Sequence, residues 1–281
     1  VLCRTGEDIK GMHGEKNGGY ASALNDLGDI LAIQDKYKEA LSYHKKALKI
    51  DEEVFGKNHK SNAESIRNIG YVLLAQGKAE EALSYFNQGL EIINKAESPG
   101  WYISFIQSIG EVLEYREDYE KALEKFDEGL QLTKKYYSED KYRVSWSLGL
   151  KGRVLYKLGK YKEALKCQQQ ALNIRKKSQK DISPGMTNNL EDLGIAYVGL
   201  NKIKTGIKYI KQALLFKKKY YGMHNTAIAK SFKELGNACM KLRDKSQAKK
   251  YYNKALGIYN RVFGEKDKEV IKLKECISKI N

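Results

Sequence analysis

Six glycines recur down the chain at a near-constant step: Gly28, Gly70, Gly110, Gly152, Gly194 and Gly236, separated by 42, 40, 42, 42 and 42 residues. Twelve residues after each stands a second small residue (Ala40, Ala82, Ala122, Ala164, Gly206, Ala248). Seven further on stands a third (Ala47, Gly89, Gly129, Ala171, Ala213, Ala255). A fixed period of this length belongs to stacked supersecondary units that bury their apolar faces against neighbours, not to a globule around one active site. The functional question therefore turns from chemistry to binding.

Within each unit the apolar period is helical. Leu24, Leu27 and Leu31 are followed by a break at Gln34-Asp35-Lys36, then by Tyr37, Leu41, Ala47 and Leu48. Steps of three and four put these residues on one face of each of two helices. Breaks recur at Gln76-Gly77-Lys78 and Leu158-Gly159-Lys160, where glycine suits a helix C-terminus. Strand-type alternation is absent, so the expected class is all-α. With 42% apolar and 31% charged residues the chain can sustain a continuous inter-repeat core and is not disordered. Pro99 and Pro184 are expected between helical units, and no apolar run approaches the roughly 18 residues of a membrane span. Val1-Leu2-Cys3-Arg4 does not read as a secretory signal, and Cys3, Cys167, Cys239 and Cys276 form no C-x-x-C pair. Free thiols in a cytoplasmic protein are the expectation.

The pattern resembles the tetratricopeptide repeat. Leu24-x-x-Leu27-Gly28-x-x-Leu31 with Ala40 and Ala47 matches its signature, as do Ile66, Ile69-Gly70, Leu73, Ala82, Phe86 and Gly89. The 42-residue period and the linkers Val54-Phe55-Gly56-Lys57-Asn58-His59, Tyr220-Tyr221-Gly222-Met223-His224 and Val262-Phe263-Gly264 are similar to the long-repeat group typified by kinesin light chain. The resemblance implies a right-handed solenoid of antiparallel hairpins. Six repeats are expected at about 21–62, 63–102, 103–144, 145–186, 187–228 and 229–268. Residues 1–20 read as the end of a truncated preceding repeat and its linker (Gly14 lies 42 residues before Gly56), and 269–281 as a capping helix, so the chain reads as part of a longer protein. Two departures, Lys151 before the fourth glycine and Gly206 in place of the fifth alanine, predict looser packing in the middle repeats.

Charge is unevenly spread. Residues 1–140 hold 18 Lys+Arg and 25 Asp+Glu, a net −7, whereas 141–281 hold 33 and 10, a net +23. The resemblance further implies that the first helix of each hairpin lines a concave groove. Mapped onto this sequence, that groove is mildly acidic early (Glu64, Arg67, Tyr71, Glu111, Glu114) and basic late. The late positions are Trp146, Arg153, Tyr156, Lys157, Asn188, Lys230, Lys233, Asn237 and Lys241, and these are the candidate peptide-binding residues. Trp146 and Tyr156 form an exposed-leaning aromatic pair, with inter-repeat core as the rival reading of Trp146. The lysines either meet ligand carboxylates or merely keep a helix soluble. Arg175-Lys176-Lys177 and Lys217-Lys218-Lys219 read as cations complementing the ends of second helices.

No phosphate-loop, G-x-S-x-G or H-E-x-x-H sequence occurs, and His13, His44, His59 and His224 fall at unlike repeat positions. Glu111, Glu114, Glu117, Asp118 and Glu120 read as a solvated face. No catalytic residue, cofactor or metal is expected. The leading expectation is a scaffold or adaptor whose groove takes an acidic peptide from a protein partner. RNA or another polyanion bound by the basic half is the alternative, as is a sensor arm of a larger signalling protein.

Overall fold

The structure is a computed structural model that describes residues 18–178, 184–223 and 225–280. The expectations for Cys3, His13, the Gly14 linker and His224 lie outside the described residues. The described residues form thirteen α-helices with no β-strand among them: α1 Gly18–Ile33, α2 Tyr37–Phe55, α3 Ala63–Ala75, α4 Ala79–Ile92, α5 Pro99–Tyr115, α6 Tyr119–Tyr137, α7 Lys141–Lys157, α8 Tyr161–Ser178, α9 Pro184–Gly199, α10 Ile203–Tyr221, α11 Thr226–Lys241, α12 Lys245–Phe263 and α13 Lys268–Ser278. The chain is an all-α repeat solenoid. The two prolines break no helix; each opens one, α5 and α9, where a missing N–H costs nothing.

Each recurrent glycine lies in the first helix of a hairpin and receives the residue sixteen positions on. A Cβ on Gly28, Gly70, Gly110, Gly152, Gly194 or Gly236 would fall under 3.0 Å from His44, Phe86, Phe126, Gln168, Ile210 or Tyr252 respectively. Glycine costs about 1 kcal/mol of helix propensity relative to alanine; here it lets a large side chain from the second helix lie against the first helix's backbone. The alanines at the second and third small positions are fully buried for the same reason. The fifth hairpin does not pack loosely. Gly194 and Gly206 face each other, and a Cβ on either would meet the other's carbonyl oxygen. Two glycines there bring α9 and α10 together backbone to backbone.

The hairpin turns are equally regular. Asp35, Gly77, Glu117, Gly159, Asn201 and Arg243 all take positive φ. The next residue's N–H bonds back to a carbonyl five positions earlier, as in Lys36 to Leu31 and Lys202 to Tyr197, both 2.9 Å. This is the Schellman closure of a helix C-terminus.

The chain divides into two compact units, one ending at Leu132 and one beginning at Thr133. In the first, Ile66, Ile69, Leu73, Phe86, Phe105 and Val112 form the core. In the second, the largest cluster includes Ile210, Leu235, Tyr252, Val270 and Leu273, with α13 packed on α12. Within this second unit α7 touches α9 and α9 touches α11, so the first helices make an inner layer and α8, α10 and α12 an outer one. Among the described residues no helix is long and apolar enough to cross a membrane.

Candidate peptide-binding face

Every candidate residue lies on the inner layer of the second unit, on α7, α9 or α11. Trp146 is 36% exposed on α7, although its neighbours Ser145, Ser147 and Leu148 are buried. Inter-repeat core is therefore not its place. Arg153 and Lys157 follow seven and eleven positions later, on the same helix face. Tyr156 departs from the expected exposed pair. It is half-buried, its ring 5.3 Å from that of Tyr161, and it packs on the core cluster of the later hairpins. Burial, with Glu234 nearby, pushes its hydroxyl up to about 12.

The cations of α11 are engaged within the chain. Lys233 Nζ lies 2.5 Å from Glu269 Oε2 of α13. Lys230 Nζ lies 3.9 Å from Glu191 Oε2. Lys241 Nζ donates to the Val198 carbonyl at 3.4 Å. Asn237 donates to Glu234 at 3.1 Å and accepts from the Tyr252 hydroxyl at 2.8 Å. Lys157 and Asn188 are exposed. The face mixes signs more evenly than the mapped positions imply.

Sequence reasoning missed the polar centre of this unit. Glu191 of α9 is fully buried between Lys217 of α10, 2.7 Å away, and Ser231 of α11, whose hydroxyl donates to it. Burial raises its pKa, but Lys217, Lys230 and the two hydrogen bonds outweigh that and hold the carboxyl below its usual range. Burial lowers the Lys217 ammonium despite Glu191. Asp192, half-buried beside it, is pushed up by burial against the opposing pull of Lys230 and Arg153. Arg153 and Lys230 thus flank an internal carboxylate. A ligand carboxylate on this face would compete with Asp192 for them.

Two runs read as cations complementing helix ends have first members that are buried instead. Arg175 is 1% exposed, donates to Ser145 Oγ at 2.8 Å and stacks on Tyr142 at 5.0 Å. Lys217 is buried against Glu191. Both belong to a buried slot that recurs with the glycines, occupied by Asp51, Ile93, Thr133, Arg175, Lys217 and Tyr259. The period itself, followed past the small residues, was the signal that could have found it.

The tetratricopeptide repeat family models match residues 19–95, 102–177 and 229–261, more than half the chain. The chain belongs to the tetratricopeptide repeat family. No curated protein sequence is significantly similar to it. Among solved structures, a Rap protein complexed with Competence and Sporulation Factor aligns with TM-score 0.67 at 16% identity, over 98% of this chain and 78% of that one. BtubC (BKLC) from P. vanneervenii aligns with TM-score 0.58 at 16% identity over 78% and 88%. A kinesin light chain protein of Podosopora anserina with nearly identical TPR-like repeats gives 0.51 at 15% identity over 72% and 97%. This tetratricopeptide repeat chain therefore resembles kinesin light chain in its hairpin array. At such identities the likeness is one of fold.

Proposed function

We propose that this tetratricopeptide repeat chain is a protein–protein interaction scaffold. Its inner face on α7, α9 and α11 captures a peptide segment of a partner, and acidic segments with an apolar anchor are preferred. The observation that carries the reading is Trp146, a large aromatic left 36% exposed on a first helix in line with Arg153 and Lys157. Exposed aromatics flanked by cations are the usual anchors of peptide recognition. The mixed signs around Asp192 and Glu234 narrow the preference. An acidic ligand gains from Lys157 directly, but reaches Arg153 and Lys230 only in competition with their internal carboxylates. The reading assigns binding to this segment and no reaction.

A random peptide library displayed on phage, selected on the 281-residue chain, tests it. Selected peptides should be enriched in Asp and Glu around an aromatic or aliphatic residue. Trp146→Ala should weaken them by about 2 kcal/mol, on the scale of a buried anchor. Lys157→Glu should weaken them several-fold at low salt and less at high salt. Lys233→Glu is a poorer probe because it would also break the pair with Glu269. Selected peptides indifferent to Trp146→Ala would sink the proposal.

A further inference from the structure

The positive excess of the second unit is concentrated on its outer layer. On the inner layer the cations of α7 and α11 are interleaved with Glu191, Asp192 and Glu234, and Glu269 reaches in from α13. In the outer layer, α10 and α12 contain no carboxylate at all, and α8 contains only Glu163. Lys204, Lys208, Lys211 and Lys219 stand exposed along α10, and Lys166 on α8 and Lys250 on α12 are exposed as well. Among the described residues none of these six is held by an ion pair. At 1.5 Å of rise per residue the α10 row extends about 22 Å. Solubility alone does not require such a face. In the first unit the second helices α2 and α6 mix both signs, as with Glu120, Lys121, Glu124 and Lys125 on α6, and α4 carries carboxylates alone.

We propose that the outer face of α8, α10 and α12 docks a nucleic-acid duplex through its phosphate backbone. Phosphates repeated along a rod are met by point charges on a broad surface, without a pocket. Other polyanionic partners ask for more than charge. An anionic membrane is gripped by aliphatic and aromatic side chains that insert among the lipids. A single strand stacks its bases on aromatics, and an acidic protein is anchored by Trp, Tyr or Arg in a packed centre. On these three helices the large hydrophobics exposed among the described residues are Leu215 and Tyr220, both on α10. Bare lysine rows suit sequence-independent backbone contact. The face is opposite to the one that Trp146 occupies, so one surface can act without the other.

The test is fluorescence anisotropy with a labelled random-sequence 30-base-pair duplex (~30 for ample contact length), from about 50 to 300 mM KCl. It uses the 281-residue chain and two triple variants, Lys204→Glu/Lys208→Glu/Lys211→Glu and the same positions to Gln. All three positions are exposed, and circular dichroism checks that both variants stay helical. The wild-type affinity should fall steeply with salt. The Gln triple should lose roughly tenfold or more at low salt and flatten the log–log slope by about 3, one unit for each phosphate that is no longer neutralised. The Glu triple should lose more. Lys157→Glu/Lys241→Glu, on the inner face, should change the affinity by less than about threefold. Unchanged binding by the outer variants would overturn the proposal, as would an equal loss from the inner pair. Tighter binding to a single strand, or to vesicles with about 30% phosphatidylserine, would overturn it in favour of that partner. Failure of the peptide selection leaves each of these readouts intact.

Discussion

Gly70 and Gly257 both lie inside helices, yet their surroundings give them opposite roles. A Cβ on Gly70 would run into the ring of Phe86, which is fully buried and held edge-on by Tyr71 at 5.4 Å. Gly70→Ala gains about 1 kcal/mol of helix propensity but overpacks a rigid contact at a cost of about 1–3 kcal/mol. A net loss of stability is expected. Gly257 is exposed on α12 with nothing within 4 Å of a Cβ, so Gly257→Ala should stabilise by about 0.5–1 kcal/mol. Urea titration of the two variants should move the midpoint in opposite directions, and movement in the same direction would show that Phe86 yields. His44 fills the same slot as Phe86 in the first hairpin. Burial lowers its imidazole to about 4, so the ring is neutral near pH 7, with Nδ1 3.0 Å from Asn25 Oδ1. It is a packing residue that needs one polar partner. Gln168, in the fourth hairpin, solves the same problem with the Gly149 carbonyl and Asn189.

The hairpin closures carry a repeated conformational cost that only some repeats avoid. Gly77 and Gly159 take their left-handed turn position without penalty, whereas Asp35, Glu117, Asn201 and Arg243 hold φ near 61–66° with a side chain attached. The left-handed region costs an ordinary residue about 1–2 kcal/mol, and glycine's greater freedom in the unfolded chain takes back part of that. Glu117→Gly should therefore raise stability, by up to about 1 kcal/mol, and leave the Asp118 to Leu113 bond of 2.9 Å in place. Chemical denaturation checks the first point and amide hydrogen exchange at Asp118 the second. A destabilised variant would mean that Glu117 makes contacts worth more than its backbone strain. The buried slot near the end of each second helix follows a different logic. Lys217 and Arg175 are tolerated there because Glu191 and Ser145 meet them, which binds each second helix to the first helix of its own hairpin.

Net charge acts on the chain in its entirety. At +16, with the excess borne by the outer helices of the second unit, like-charge repulsion opposes folding at low ionic strength. Screening should relieve it. The melting temperature is expected to rise between about 20 and 300 mM salt, where the Debye length shrinks from about 20 to below 8 Å. Thermal melts followed by circular dichroism would measure this. A falling melting temperature would instead mean that pairs such as Lys233–Glu269 and Lys217–Glu191 dominate the balance.

The glycine and alanine period was sufficient for the all-α class and the repeated helical hairpin, because both are specified locally by small residues at fixed steps. Legibility ended where a residue's role depends on a side chain that another helix brings against it. Lys217 looked like a cation complementing a helix end until Glu191, itself held by Ser231, was brought against it. That Lys233 is paired with a carboxylate became visible only when α13 supplied Glu269. Tyr156 looked exposed until Tyr161 and the later core covered it. Sequence counts charges, and the net +23 of the second half was visible in it. Which of those charges are neutralised on the inner layer and which stand bare on the outer one is decided by packing, because ion pairing depends on distances of a few ångströms between side chains far apart in the chain.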